Sequence, residues 1–221
     1  MPTWMLPLAW LLALLLCWPA AGAAGSAPRQ AELEDAVRLY EAGDSAQAQR
    51  RFEALAAAGV PAAAYNLAVM HLRGEVPKAD VALARRLLTQ AARAGFVTAQ
   101  FSLAQALENG DFGRRDLRQA MPWYERAALA GSTEAQLAMG TAYFLGRGTA
   151  RDMARAAQWF RAAANGGDVG AQYLLASLYE QGDGLAKDFR LARYWYDVAA
   201  RNGDEAAPGK VKELDAKLAA Q

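Results

Sequence analysis

Four aspartates stand at matching points of this chain: Asp80, Asp116, Asp152 and Asp188, each 36 residues after the one before. A regular row of carboxylates can bind a cation or supply general acids and bases. His71 is the sole histidine and Cys17 the sole cysteine. That pair, with Cys17 inside an apolar run, does not form a zinc site of the common kinds. The chain carries no G-x-S-x-G nucleophile elbow, phosphate-binding loop or dinucleotide fingerprint. Carboxylate pairs such as Glu32/Glu34 exist, but nothing in their spacing places them across a cleft. The sequence therefore points to a non-enzyme that needs no cofactor and no metal.

The aspartates have a simpler reading. Each stands where a helix should begin, shortly after a glycine that ends the preceding helix: Gly74, Gly110, Gly146 and Gly182. A carboxylate there accepts a bond from an otherwise unpaired backbone N–H and suits the helix dipole. His71 occupies a place held by Tyr143 and Tyr179 elsewhere, so it reads as a packed or hydrogen-bonded residue.

The elements that position these residues form a repeat. Ala135–Gly167 and Ala171–Gly203 align without a gap, and the register continues upstream to Ala99 and Ala63. Gly59, Gly95, Gly131, Gly167 and Gly203 close successive units. A period of this size marks stacked helical hairpins. The second helices carry apolar residues at i, i+3, i+4, i+7 and i+8, such as Ala156, Trp159, Phe160, Ala163 and Ala164. That spacing makes one helix face. Alanine permits close approach, and the aromatic pair should fill the space between hairpins, each buried ring contributing a few kcal/mol. One hairpin cannot bury this face alone, but a stack can. Leu87-Leu88 replaces the aromatic pair in the second unit, which should be the looser joint.

The expected organisation follows from the repeat. Residues 1–24 read as a signal peptide and 25–59 as an amino-terminal capping hairpin resembling a tetratricopeptide pair. In that cap, Ala27–Ala31 is a lead-in and the helices are Glu32–Ala42 and Ala46–Ala58. Four units follow at 60–95 (degenerate), 96–131, 132–167 and 168–203. Residues 204–221 form a carboxy-terminal cap, with Lys210–Ala220 helical and Val211, Leu214 and Leu218 turned inward. The fold class is all-α: an α/α solenoid of stacked antiparallel helix hairpins.

The leader and the charge bear on location and partner. Met1–Pro28 has no charged side chain, Leu6–Trp18 is almost wholly apolar, and small residues follow at Ala20–Gly25. This is the pattern of a secretory signal cleaved after Ala23 or Ala24, and the run is short for a bilayer span. An uncleaved membrane anchor is the alternative, because no Lys or Arg precedes the run. Leu14–Cys17 loosely resembles a lipobox, but Leu16 precedes the cysteine where such motifs want a small residue. The mature protein is expected in the periplasm or outside the cell, without a disulfide and without membrane contact. A net charge of +1 argues against nucleic acid as partner. The Ala/Arg-rich composition and the absence of any N-x-[ST] sequon favour a bacterial source.

The repeated residues carry a family resemblance. The pattern A-x-x-x-L-G-x-x-Y-x-x-G-x-G-x-x-x-D-x-x-x-A-x-x-W-Y-x-x-A-A-x-x-G resembles the Sel1-like repeat, a relative of the tetratricopeptide repeat. Ala135, Gly140, Tyr143, Gly146, Gly148, Asp152, Ala156, Trp159, Phe160 and Gly167 carry it in one unit. Val76 and Phe112 depart from it at the second glycine, and His71 and Leu107 at the tyrosine. The resemblance implies a solenoid whose concave face is lined by first helices, and an adaptor or scaffold role. Some cysteine-rich relatives have been linked to β-lactam chemistry. They carry a disulfide in each repeat, which this chain lacks, so that activity does not transfer.

Function must then lie where the copies differ. If first helices line a concave groove, one inward row is Tyr65, Phe101, Leu137 and Tyr173. Two more rows are Val69, Gln105, Thr141, Ser177, and Leu72, Glu108, Phe144, Glu180. Aromatic and apolar side chains beside polar ones suit a peptide or helix laid in a groove. Packing between adjacent first helices could also explain the first row, whereas Phe144 and Leu72 exceed packing needs. The expected function is an exported scaffold binding a protein or peptide partner. An envelope enzyme or wall-glycan binder using Glu108 and Glu180 is the alternative.

Overall fold

The computed structural model describes residues 23–220. The apolar leader, up to residue 22, lies outside the described residues. The described chain is helical throughout: α1 (Ala23–Glu41), α2 (Ser45–Ala57), α3 (Pro61–Arg73), α4 (Val81–Arg93), α5 (Val97–Asn109), α6 (Leu117–Leu129), α7 (Thr133–Leu145), α8 (Met153–Asn165), α9 (Val169–Gln181), α10 (Phe189–Arg201) and α11 (Ala207–Ala219). No helix among these residues is long and apolar enough to cross a membrane.

The repeat appears directly in the helix starts. First helices begin at 61, 97, 133 and 169, and second helices at 81, 117, 153 and 189. The aspartates begin the second helices as N-caps. Asp116 accepts from the Gln119 N–H, Asp152 from Arg155, Asp188 from Arg190 and Leu191, and Asp80 from Leu83. Those backbone donors hold the carboxyls of Asp80 and Asp116 below their usual range. A cap of this kind stabilises a helix by about 1 kcal/mol. Ser132 and Asp168 cap first helices in the same way, which the sequence reading had not assigned.

Two compact units divide the chain, residues 1–91 and 92–221, and the boundary falls near the end of α4. This is the helix in which leucines replace the aromatic pair. In the first unit α1 packs on α2 and α2 on α3. In the second, the hairpins α5–α6, α7–α8 and α9–α10 pack in series, and α11 closes the end against α10.

The core of the second unit is a file of alanines and rings. Ala120, Ala127, Ala156, Ala163, Ala192 and Ala199 are fully buried. Tyr124, Phe160 and Tyr196 are buried with them, at 5%, 1% and 1% exposure. The expectation for the aromatic pair is corrected in part. Trp123, Trp159 and Trp195 are only half-buried, so one ring per repeat forms the core. Gly140 makes room for that ring: a Cβ there would lie 2.5 Å from Cδ1 of Phe160.

The ends depart from the sequence reading. The lead-in at Ala27–Ala31 is helix, continuous with α1 and containing Pro28. At the other end α11 begins at Ala207, with Pro208 in its first turn, where the ring costs no hydrogen bond. Leu214 is its fully buried contact, while Val211 and Leu218 are half-buried.

The loop of the last repeat sits on the helix before it. Gly184 has φ of +68°, and a Cβ there would overlap the backbone of Met153 and Ala154 at the start of α8. Replacing Gly184 by Ala must therefore shift one repeat against the next. In urea unfolding, Gly184→Ala should lose at least about 2 kcal/mol. Gly209→Ala, with open space around it in α11, should lose nothing. Equal effects would contradict this packing.

Candidate functional site

The inward rows meet a second feature, the buried ring of the second helix. Phe101 packs on Tyr124 with ring centroids 5.8 Å apart, and Tyr173 packs edge-on against Tyr196 at 4.9 Å. The third row is tied to the same rings. The Tyr124 hydroxyl donates to Oε2 of Glu108 at 2.7 Å, and the Tyr196 hydroxyl to Oε2 of Glu180 at 3.0 Å. In the repeat whose ring is Phe160, the third-row residue is Phe144, 6.2 Å from it. A hydroxyl on the ring thus goes with a carboxylate 16 residues earlier, and a plain ring with a plain ring. The view that Phe144 exceeds packing needs is corrected by this contact.

Both carboxylates have further internal partners. Arg147 donates through Nη2 to Oε1 of Glu108 at 2.8 Å. Lys210 and Lys217 of α11 reach Glu180 at 3.2 and 3.3 Å. Burial would raise the Glu180 carboxyl, but hydrogen bonds from Lys210, Tyr196 and Lys217 outweigh it and hold the group below its ordinary value of 4.5. Burial, then the Glu108 hydrogen bond, pushes the Tyr124 hydroxyl far above its usual range; burial and Glu180 do the same at Tyr196. Among the described residues no three His, Cys, Asp or Glu side chains gather as metal ligands would.

His71 performs a backbone task. In three repeats the N–H of the capping Asp donates to a main-chain carbonyl: Asp116 to Leu107, Asp152 to Tyr143 and Asp188 to Tyr179. In the remaining repeat Asp80 donates instead to Nδ1 of His71, at 3.1 Å. That ring is buried, and its Nε2 has no hydrogen-bond partner among the described residues. Tyr143 and Tyr179 instead reach outward with their hydroxyls, which accept from Arg155 and Arg161.

A row of glutamines was missed by the sequence reading. Gln100, Gln136 and Gln172 donate their side-chain amides to Ala92, Ala128 and Ala164, the last carbonyls of the preceding second helix. The signal was the recurrent Ala-Gln at 99–100, 135–136 and 171–172. Each of these carbonyls also accepts the N–H of the closing glycine, Gly95, Gly131 or Gly167, so the glutamine is a second donor at the helix end.

One pocket gathers several inward residues within the second unit. It has a volume of about 320 Å³ and opens between α5 and α7. Phe101, Gln105 and Glu108 face it from α5, Leu137 and Thr141 from α7. Leu117, Met121 and Tyr124 of α6 form its apolar back, and Arg147 stands at one end. Phe144, Tyr173 and Glu180 do not line it. Tyr65 and Leu72 are half-buried on α3 in the first unit.

Comparison with known proteins agrees with this architecture. The family model for the Sel1 repeat matches residues 61–96, 97–132, 133–168 and 169–204. The chain belongs to the Sel1 repeat family. Its repeats are framed one residue later than the sequence reading set them. A Sel1 repeat protein from Oxalobacter formigenes is similar over 81% of this chain and 75% of its own, with 30% identity and a TM-score of 0.71. A protective antigen of uropathogenic Escherichia coli displaying an SLR fold matches 87% of this chain at 30% identity and a TM-score of 0.78. This chain spans 42% of that antigen's length. A sel1 repeat protein from Klebsiella pneumoniae shares the fold at 24% identity and a TM-score of 0.51. No match was found among curated proteins. Sel1 repeats typically serve as scaffolds for protein interaction, and the fold is generally non-catalytic.

The Glu180 cluster has a pH signature. A carboxyl held low when folded contributes stability that is present above its ordinary value of 4.5 and is lost as pH falls through the folded value. Melting temperature followed from about pH 6 down to about pH 3 should therefore fall more steeply in the parent than in Glu180→Gln. Parallel curves would show that the cluster contributes nothing.

Proposed function

We propose that the protein is an exported, non-enzymatic scaffold that holds a protein or peptide partner against its first helices. The pocket between α5 and α7 carries this reading. It combines an apolar back with two polar side chains, Gln105 and Thr141, on a row where the repeats differ. Its volume lies at the lower end of the range of binding pockets. The contact residues we assign are Phe101, Leu137 and Glu108 at the pocket. Tyr65, Leu72, Phe144, Tyr173 and Glu180 belong to the same rows and are assigned as flanking contacts. The near-neutral net charge favours a protein over nucleic acid. The leader supports export to the periplasm or beyond, in a bacterium, and the family's general role supports a scaffold. The enzyme alternative is disfavoured because Glu108 and Glu180 are both bound internally.

Two measurements test this. In the producing bacterium the exported form should begin near Ala24 by intact mass, and an unshortened chain would sink the export reading. Leu137→Arg places a charge in the pocket while leaving the caps and rings in place. It should weaken partner binding at least about tenfold with the melting temperature little changed. Unaltered binding would remove the pocket from the interface.

A further inference from the structure

Resting on the groove reading above, we infer that the pocket between α5 and α7 takes one lysine or arginine side chain of its polypeptide partner, with the cationic head at Glu134 and Asp168 and the stem on the apolar wall. The argument starts from charge. Three carboxylates and one guanidinium line the pocket, and they are unevenly matched. Arg147 pairs with Glu108 at 2.8 Å, at the end where α5 and α7 stop. Glu134 lies at the other end, in the first turn of α7, and Asp168 caps the start of α9. Glu134 accepts from the Ser132 hydroxyl and Asp168 from the Ala171 N–H, both neutral donors. No Lys or Arg among the described residues forms an ion pair with either carboxylate. The two helix N-termini offset part of this charge, about half a unit each. About one negative charge therefore remains, on two half-buried groups that salt screens less than an open surface.

A single cation is the complement of that charge, and the apolar wall selects its form. Leu137 stands one turn along α7 from Glu134, on the same face. Phe101 of α5, with Leu117 and Met121 of α6, continues the apolar surface between the two ends. Lysine and arginine lay their methylene stems along such surface and carry the charge at the tip. The half-buried Phe101 ring offers a face that attracts a cation further. The volume of about 320 Å³ admits one long side chain with water around its head. Other side chains fit less well. A leucine or phenylalanine would strip water from the two carboxylates and give them no partner, which is costly. An aspartate or glutamate would meet like charge.

Selection from a phage-displayed library of random linear peptides tests the inference, with enriched peptides measured by fluorescence anisotropy against the full chain and its variants. The expected peptides share one Lys or Arg. Replacing that residue by norleucine, which keeps an apolar stem and drops the charge, should weaken binding at least about tenfold. The pair Glu134→Gln with Asp168→Asn should do the same, because it removes both charges while an amide oxygen still accepts from Ser132 and caps α9. Affinity for the parent should fall severalfold between about 50 mM and about 500 mM salt, and less in the pair variant. Circular dichroism melting of each variant checks the fold. The norleucine comparison is made on the parent protein, so it decides the matter even where the pair variant is destabilised. Peptides lost with Leu137→Arg yet indifferent to norleucine would keep the groove and overturn cation recognition. Peptides that need their Lys or Arg but bind a well-folded pair variant as tightly as the parent would overturn the placing of the head at Glu134 and Asp168. Enriched peptides untouched by Leu137→Arg, or no enrichment at all, would overturn the groove itself and this inference with it.

Discussion

One ring per repeat, seated on alanine, sets what the first helices of the second unit can present. Tyr124, Phe160 and Tyr196 occupy equivalent places in α6, α8 and α10, and each is buried. Their seats are small: Ala120, Ala156, Ala192 and, across the hairpin, Gly140 beneath Phe160. A tyrosine in this position touches two inward rows of the preceding first helix at once. It packs on Phe101 or Tyr173 and pairs through its hydroxyl with Glu108 or Glu180. The inward rows are therefore not free to vary one residue at a time. Core and surface are coupled through each ring.

That coupling explains which residues remain available. The acidic positions 108 and 180 serve the fold, with Arg147, Lys210 and Lys217 as their counter-charges. Gln105 and Thr141, from the remaining row, line the pocket beside Tyr124. The same division separates repeats from ends. Glu180 binds the closing helix α11, so the third repeat of the second unit uses its inward carboxylate for capping. Glu108 uses its own to shape a pocket wall.

Local features were legible in the sequence, and cross-repeat ones were not. The caps at Asp116, Asp152 and Asp188 need only the few residues that follow them, so their role could be read from position alone. The Gly182 and Gly146 stops are equally local. The bond between Glu108 and Tyr124 was not foreseen, because that partner lies 16 residues on, across a hairpin. The clue was present in the matched changes Glu/Tyr, Phe/Phe and Glu/Tyr at 108/124, 144/160 and 180/196. The glutamine row at 100, 136 and 172 was invisible for a similar reason: its acceptor is the end of the previous unit. Ala27–Ala31 was read as a lead-in, yet α1 runs through it, Pro28 included.

The account turns on where a partner touches the second unit. A photo-crosslinking residue placed at Thr141, inside the pocket, and separately at Leu129, exposed at the end of α6, would read this in the producing cell. A discrete crosslinked partner at position 141 and none at 129 is the result expected. Crosslinking at 129 with none at 141 would contradict the account, because the partner would then sit on the frame and not in the groove.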